Sequence, residues 1–278
     1  MITDWDDAYT NGKYIEGSAL WPDRWAADAA AFRERMQAAG RMTADLAYGP
    51  APRNRADLFL PQGTPAGLAV FIHGGYWHKF DRSWFSHFAE GAVSRGWAVG
   101  MPSYTLCPDI RIAGITREIG AAIDTLAGMV DGPIRIAGHS AGGHLVSRMM
   151  CTDSPLGEAT RSRIAHVLSL SGVHDLRPLL RATDMNAVLA MDTDEATAES
   201  PSLREPLAGI PLTAWVGGAE RPEFVRQNAL LANIWTGLGA QTRCIVEPAR
   251  HHFDVIDGLI DPQSQMTAAF VGTDGWPS

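Results

Sequence analysis

The residues of this chain that could do chemistry fall in four short stretches, and together they supply what acyl transfer through a serine requires: nucleophile, base, orienting carboxylate and oxyanion donors. Gly138-His139-Ser140-Ala141-Gly142 has the form G-x-S-x-G, a serine on a tight strand-to-helix turn. Flanking glycines let strand and helix approach without clashing Cβ atoms. The turn lifts the Ser140 hydroxyl above a sheet edge and aims helix N-terminal N–H groups at whatever it attacks. Upstream, His73-Gly74-Gly75-Tyr76-Trp77 can present bare amides to an oxyanion. The expected donors are the amides of Gly75 and Tyr76, joined by that of Ala141. Downstream, Glu220 and Glu223 are candidate acids. Glu220 is favoured because it lies in the loop just after a strand. Glu223 follows Pro222 into a first helical turn, where the helix dipole favours an acid for reasons unrelated to chemistry.

The base is expected in Arg250-His251-His252-Phe253-Asp254. Adjacent histidines cannot both face one point, and the residue types alone leave His251 and His252 open. No metal and no cofactor are expected: a His–His pair at i, i+1 is not helix-face ligand spacing, and no third ligand is evident. The other histidines, His78, His87, His139, His144, His166 and His174, are expected to be structural or solvated. His139 is the x of the elbow, so its side chain is expected to point away from the nucleophile.

These stretches need a scaffold that brings them together, and the hydrophobic pattern describes one. Continuous apolar runs at 68–72 and 164–170 read as strands buried on both faces. Further strands are expected at 57–60, 97–101, 134–137, 212–216 and 242–246. Helices are expected at 22–39, 83–95, 110–129, after Ser140, at 222–235, and near the C-terminus at about 264–270 or fused with 254–260. Apolar strands alternating with helices give a mostly parallel, doubly wound α/β sheet flanked by helices. Ligands of such sheets sit at the carboxyl ends of the strands, where all four stretches fall. Residues 172–209 break the rhythm and read as a small helical cap inserted over the sheet. Residues 1–22 carry Trp5, Tyr9, Tyr14 and Trp21, aromatics dense enough to pack down. The chain is thus expected to be a single domain, 1–278, with its N-terminal segment 1–40 near the site.

Composition excludes several classes. With 278 residues, 46% of them hydrophobic, the chain can bury a large core. A net charge of −8 argues against nucleic acid or an anionic membrane as partner. No apolar run reaches the ~18 residues of a membrane span, and the acidic N-terminus lacks the apolar region of a secretory signal. A cytoplasmic location and a small-molecule substrate are the expectation. Cys107, Cys151 and Cys244 are odd in number and lack redox or metal spacing, as reduced core thiols do. Nine tryptophans leave room for an interface patch, as in a homodimer, or for a core that absorbs them all.

With these motifs assembled, the chain resembles the arylformamidase (kynurenine formamidase) family of α/β-hydrolases, close to the hormone-sensitive-lipase-like esterases. The resemblance rests on His73-Gly-Gly-Tyr-Trp77, Gly138-His-Ser-Ala-Gly-Gly-His-Leu145, Ser171-Gly-Val-His-Asp-Leu-Arg-Pro178, Glu220-Arg-Pro-Glu-Phe224 and His252-Phe-Asp254. It implies the α/β-hydrolase fold with Ser140, Glu220 and His252 as triad, since the family's acid lies three residues before Glu-Phe and its histidine directly precedes Phe-Asp. The family more usually has Asp where Glu220 stands, and Asp where His251 stands, so the longer glutamate requires an adjusted loop. It implies hydrolysis of an aryl formamide such as N-formylkynurenine through an acyl-serine. Tyr76, Trp77 and His139 are the candidate pocket residues. The alternatives are a general carboxylesterase acting on small-acyl esters and a non-catalytic hydrolase-fold binding protein, which the intact triad disfavours.

Overall fold

The computed structural model describes residues 2–272. Eight strands run in chain order as β1 (Met42–Ala47), β2 (Arg55–Phe59), β3 (Leu68–Ile72), β4 (Ala98–Pro102), β5 (Ile134–His139), β6 (Ile164–Leu170), β7 (Leu212–Gly217) and β8 (Thr242–Glu247). They form one sheet in the order β1-β2-β4-β3-β5-β6-β7-β8. Pairing is parallel from β4 to β8, and antiparallel for β1–β2 and β2–β4. The α-helices are α1 (Trp5–Ala8), α2 (Trp21–Ala38), α3 (Glu90–Ser94), α4 (Ile112–Ala127), α5 (Ala141–Met149), α6 (Glu158–Arg161), α7 (Thr183–Leu189), α8 (Thr193–Ala198), α9 (Pro222–Gly237) and α10 (Gln265–Val271). None is long and apolar enough to cross a membrane among the described residues.

Alternation along the strands explains the two-sided winding. In β3, Leu68, Val70 and Ile72 join the core beneath α4, α5 and α9, while Ala69 and Phe71 join the core beneath α2, α3 and α10. A strand covered on both faces has no polar side to show, which is why its sequence is a continuous apolar run. Helix α4 buries Ile112, Ile115, Ile119, Ile123 and Leu126 completely, the three-and-four spacing of one helix face.

Two differences from the sequence expectation have local causes. Strand β1 was absent from it because Met-Thr-Ala-Asp-Leu-Ala alternates weakly; as an edge strand it stays largely exposed and needs only one paired side. The helix expected over 83–95 is two 3-10 turns, Arg82–Trp84 and Ser86–Ala89, before the short α3. The C-terminal alternatives resolve into separate pieces, a 3-10 turn over Val255–Leu259 and α10, whose first turn Ser264 caps by accepting from the Thr267 amide. Cys107 and Cys151 are buried, but Cys244 lies exposed on the edge strand β8 rather than in the core.

The insertion folds as a 3-10 turn over Arg177–Arg181, then α7, α8 and a 3-10 turn over Pro201–Leu203. Its return is anchored by a single bridge between Cys151 and Pro206. Beneath it a buried ion pair joins Arg148 of α5 to Glu199 at 3.2 Å, and Thr116 of α4 donates to the same carboxylate oxygen at 2.6 Å. Arg148 also donates to Asp153 at 2.8 Å, so the buried guanidinium is held by two carboxylates.

Candidate active site

The elbow is built on close backbone approach. A Cβ on Gly138 would lie 2.3 Å from the Gly142 carbonyl oxygen, and one on Gly142 would lie 2.0 Å from that of Ile72. Only glycine fits either place, so β5 and α5 can meet at an acute turn. The residue at its apex, Ser140, takes φ 56° and ψ −116°, a conformation that costs a non-glycine residue of order 1–3 kcal/mol. Its amide is tied to the Leu170 carbonyl of β6 at 2.8 Å, which holds the strained apex in place.

The loop after β3 passes directly above this serine. A Cβ on Gly74 would meet the Ser140 Cβ at 3.0 Å. Gly75, Tyr76 and Trp77 all have positive φ, at 114°, 50° and 59°. The resulting turn closes on the Gly75 carbonyl, which accepts from the amides of His78 and Lys79. Among the described residues the amides of Gly75 and Tyr76 find no backbone acceptor. The Ala141 amide opens α5 and, as a first-turn N–H, has no acceptor within the helix. His73 anchors the loop from below. It stacks on Tyr104 at 4.4 Å, and its Nδ1 lies 2.7 Å from the Gly74 carbonyl.

The candidate acid and base arrive on neighbouring loops stitched through their backbones. The Gly218 amide donates to the Glu247 carbonyl at 2.7 Å, and the Ala219 amide to that of Arg250 at 2.9 Å. His252 Nδ1 and Glu220 Oε2 are 2.6 Å apart, with the Glu220 side chain fully buried. The His252 ring lies between Phe224, 4.7 Å away and edge-on, and His139, 4.6 Å away. His139 Nε2 is 2.9 Å from the His252 carbonyl, so His139 braces the base; burial drives its basicity well below that of an ordinary histidine.

The structure thus brings Ser140, His139 and His252 to one cavity, with Glu220 behind His252. His251 turns away: its Nδ1 accepts from the Phe253 and Asp254 amides, and its ring meets Trp21 edge-on. Glu223 is taken by Arg226, Gln227 and the Tyr9 hydroxyl. Two expectations are corrected. Trp77 does not line the cavity: only 1% exposed, it sends its indole N–H to His144 Nδ1 at 3.3 Å beneath the loop. His139 lines the cavity together with Ser140, as a pocket residue does, so its side chain does not point away from the candidate nucleophile. Sequence reasoning also missed Ser171, whose hydroxyl donates to Glu220 Oε1 beside the Gly217 amide, 2.8 Å from the same oxygen. Ser171 opens the stretch Ser171–Pro178 that carries part of the resemblance, but nothing local in that stretch shows that its hydroxyl reaches the candidate acid.

The cavity measures about 470 Å³. Trp25, Phe80, Phe85 and Phe253 form an aromatic wall, while Tyr76, His78 and Lys79 follow from the loop after β3. Its roof joins two remote segments. Asp6, Thr10 and Gly12 come from the N-terminus, Asp184 and Met185 from α7. Asp6 accepts from the amides of Thr183 and Asp184 at 3.0 and 3.1 Å, capping α7 from a distance of 177 residues in sequence. Asp7 pairs with Arg221 at 2.5 Å, and the Tyr76 hydroxyl donates to the Tyr9 carbonyl. Burial holds that Tyr76 phenol protonated well above the usual range. Among the described residues no cluster of three or more His, Cys, Asp or Glu side chains is arranged to hold a metal.

Several histidines around the site are buried as neutral rings. Burial lowers His73 and His144 to about 4 and His174 to about 3. Below about pH 6.5 each would bind a proton in the unfolded chain but not in the fold. The unfolded state then holds more protons, and stability falls as the pH drops from about 6.5 toward 4, by up to about 1.4 kcal/mol per pH unit for each ring. Asp257, raised to about 6 by burial, acts in the opposite sense: its contribution is present at low pH and is lost as pH rises through 6. Three rings outweigh one carboxyl. The urea midpoint is therefore expected to be lower at pH 5.0 than at pH 7.5, and an equal or higher midpoint at pH 5.0 would refute neutral burial.

Among known proteins, the chain is 26% identical over 245 residues to a kynurenine formamidase of Danio rerio, covering 84% of this chain and 82% of that one. The crystal structure of a candidate thioesterase from Silicibacter sp. TM1040 superposes with a TM-score of 0.90 at 50% identity, covering 97% of this chain and 99% of that chain. An esterase of Pyrobaculum calidifontis shares the fold at a TM-score of 0.68 and 16% identity, over 94% and 91% of the two chains. No family model matches the sequence.

Proposed function

We propose, from the premise that the chain is an arylformamidase-like α/β-hydrolase, that it hydrolyses an aryl formamide such as N-formylkynurenine through an acyl-serine intermediate. The observation that carries this reading is one aromatic-walled cavity holding the strained Ser140, the Glu220-backed His252 and amides without acceptors.

In the proposed reaction His252 Nε2 takes the Ser140 proton as Oγ attacks the formyl carbon. Glu220 fixes the Nδ1–H tautomer and stabilises the imidazolium. The amides of Gly75, Tyr76 and Ala141 receive the oxyanion, and preorganised donors of this kind are worth about 10²–10³ in rate each. His252 then returns the proton to the departing aniline nitrogen, leaving formyl-Ser140. Water, deprotonated by His252, attacks that ester, and His252 gives the proton to Ser140 Oγ as the formyl–oxygen bond breaks and formate leaves. The aromatic wall suits an aniline ring. Tyr76, whose hydroxyl is tied to the Tyr9 carbonyl, lines the cavity beside the proposed oxyanion donors, and its bulk there would favour a small acyl group such as formyl.

The 50% identity to a candidate thioesterase favours a second reading, in which the acyl group arrives on sulfur or oxygen. Comparing kcat/KM on N-formylkynurenine, p-nitrophenyl acetate and a short-chain acyl thioester separates the two. The formamide is expected to lead by at least about tenfold, a difference of about 1.4 kcal/mol in transition-state stabilisation. If an ester or thioester leads by orders of magnitude and the formamide is inert, the formamide reading fails while serine hydrolysis stands.

A further inference from the structure

Glu220 is longer by one methylene than the aspartate its position resembles, and its carboxylate is wholly buried. A buried carboxylate has about four acceptor sites to fill, and no solvent reaches this one. An extra side-chain torsion also gives it more ways to miss His252. Three donors settle the matter. Oε2 faces His252 Nδ1 at 2.6 Å, while Oε1 takes the Ser171 hydroxyl at 2.5 Å and the Gly217 amide at 2.8 Å.

Ser171 is held in an unusual way to reach this place. It directly follows β6 with φ 51°, in the left-handed region that glycine prefers. Its own amide donates to the Trp215 carbonyl of β7 at 2.7 Å, and the residue is fully buried. The fold therefore accepts a strained serine where glycine would cost less, and that serine's hydroxyl donates to the carboxylate behind the base.

We infer that Ser171 is a positioning residue, which pins Glu220 Oε1 so that Oε2 meets His252 and the longer acid serves in place of the shorter. This rests on the proposed roles of Ser140, Glu220 and His252. Ser171 touches no reacting atom; it acts only through the carboxylate. Its removal should lower kcat and leave KM nearly unchanged, since a displacement of about 1 Å in a catalytic constellation costs on the order of 10² in rate.

Ser171→Gly is the informative variant, because it deletes the hydroxyl and relieves the backbone at once. The expected result is a kcat about 10- to 100-fold lower, a KM within about twofold, and a Tm equal to or above the parent's. Ser171→Ala, which keeps the strain, should lose the same kcat. In a Glu220→Ala background, Ser171→Gly should cost nothing further, since no carboxylate remains to be pinned. Wild-type kcat in Ser171→Gly, a fall in Tm in place of kcat, or an undiminished loss in the Glu220→Ala background would each overturn the inference. Full activity of Glu220→Ala itself would instead overturn the proposed triad, so the two failures are told apart.

Discussion

Ser140→Ala is expected to lower kcat/KM by about 10⁴- to 10⁶-fold, the loss typical of removing a nucleophile whose partners act as a unit. Removing the hydroxyl leaves the cavity, the Glu220–His252 pair and the oxyanion amides in place, so substrate should still bind. A fluorinated phosphonate should label the parent at Ser140 and leave the variant untouched. Unlabelled Ser140 in folded parent protein would sink the enzymatic mechanism and leave a binding role. The same residue couples activity to stability. At φ 56° and ψ −116° any side chain is strained, and alanine keeps that strain. Ser140→Gly should be as inactive as alanine yet more stable than the parent by about 1–3 kcal/mol. A thermal melt beside the activity assay checks both halves. An unstabilised glycine variant would mean that the elbow relaxes outside the folded conformation described above.

Gly142→Ala should have a comparable effect by another route. The new Cβ would stand 2.0 Å from the Ile72 carbonyl oxygen and 2.8 Å from that of His73, both of them backbone atoms. Neither can swing aside as a side chain would. Relief requires α5 to move off β3, and with it the apex that carries Ser140. Overpacking of a rigid core ordinarily costs about 1–3 kcal/mol; a clash with backbone on a central strand should exceed that, at about 4 kcal/mol or more. Against a total stability of about 5–15 kcal/mol, that leaves little margin. The variant should give low soluble yield, a much reduced urea midpoint and no measurable turnover. A midpoint within about 1 kcal/mol of the parent would show that the elbow can widen.

How much of this was legible in the sequence depends on whether the determinant was local. The buried strands β3 and β6 are visible to the residue, because a strand covered on both faces must be apolar throughout. The elbow is visible for a related reason: close backbone approach admits only glycine, at fixed spacing around the serine. β1 was not legible, because an edge strand exposed over most of its length needs no apolar pattern. Two of the site's determinants were invisible for being non-local. Ser171 matters only because its strained backbone aims the hydroxyl at a residue 49 positions away. Trp77 reads equally as a pocket aromatic or as core packing, and two successive left-handed residues turn it beneath the loop onto His144. The choice of Glu220 over Glu223 was open to local reasoning, since an acid in a first helical turn has a reason to be there whatever else it does. His139 shows the limit of such reasoning, as its position in the elbow does not reveal that the base lies against it.

The roof of the cavity has a consequence for how the molecule comes into being. Asp6 reaches Thr183 across 177 residues, and Asp7 reaches Arg221 across 214. Contacts of such high order cost the most closure entropy and are made late, after local helices and neighbouring strands have formed. During synthesis residues 2–20 leave the ribosome long before the surfaces they cover, at Thr183 and Arg221, have been made. The sheet and the elbow can form before that. The roof over the cavity cannot, so partly folded chains would carry the Ser140 elbow beneath an incomplete cavity.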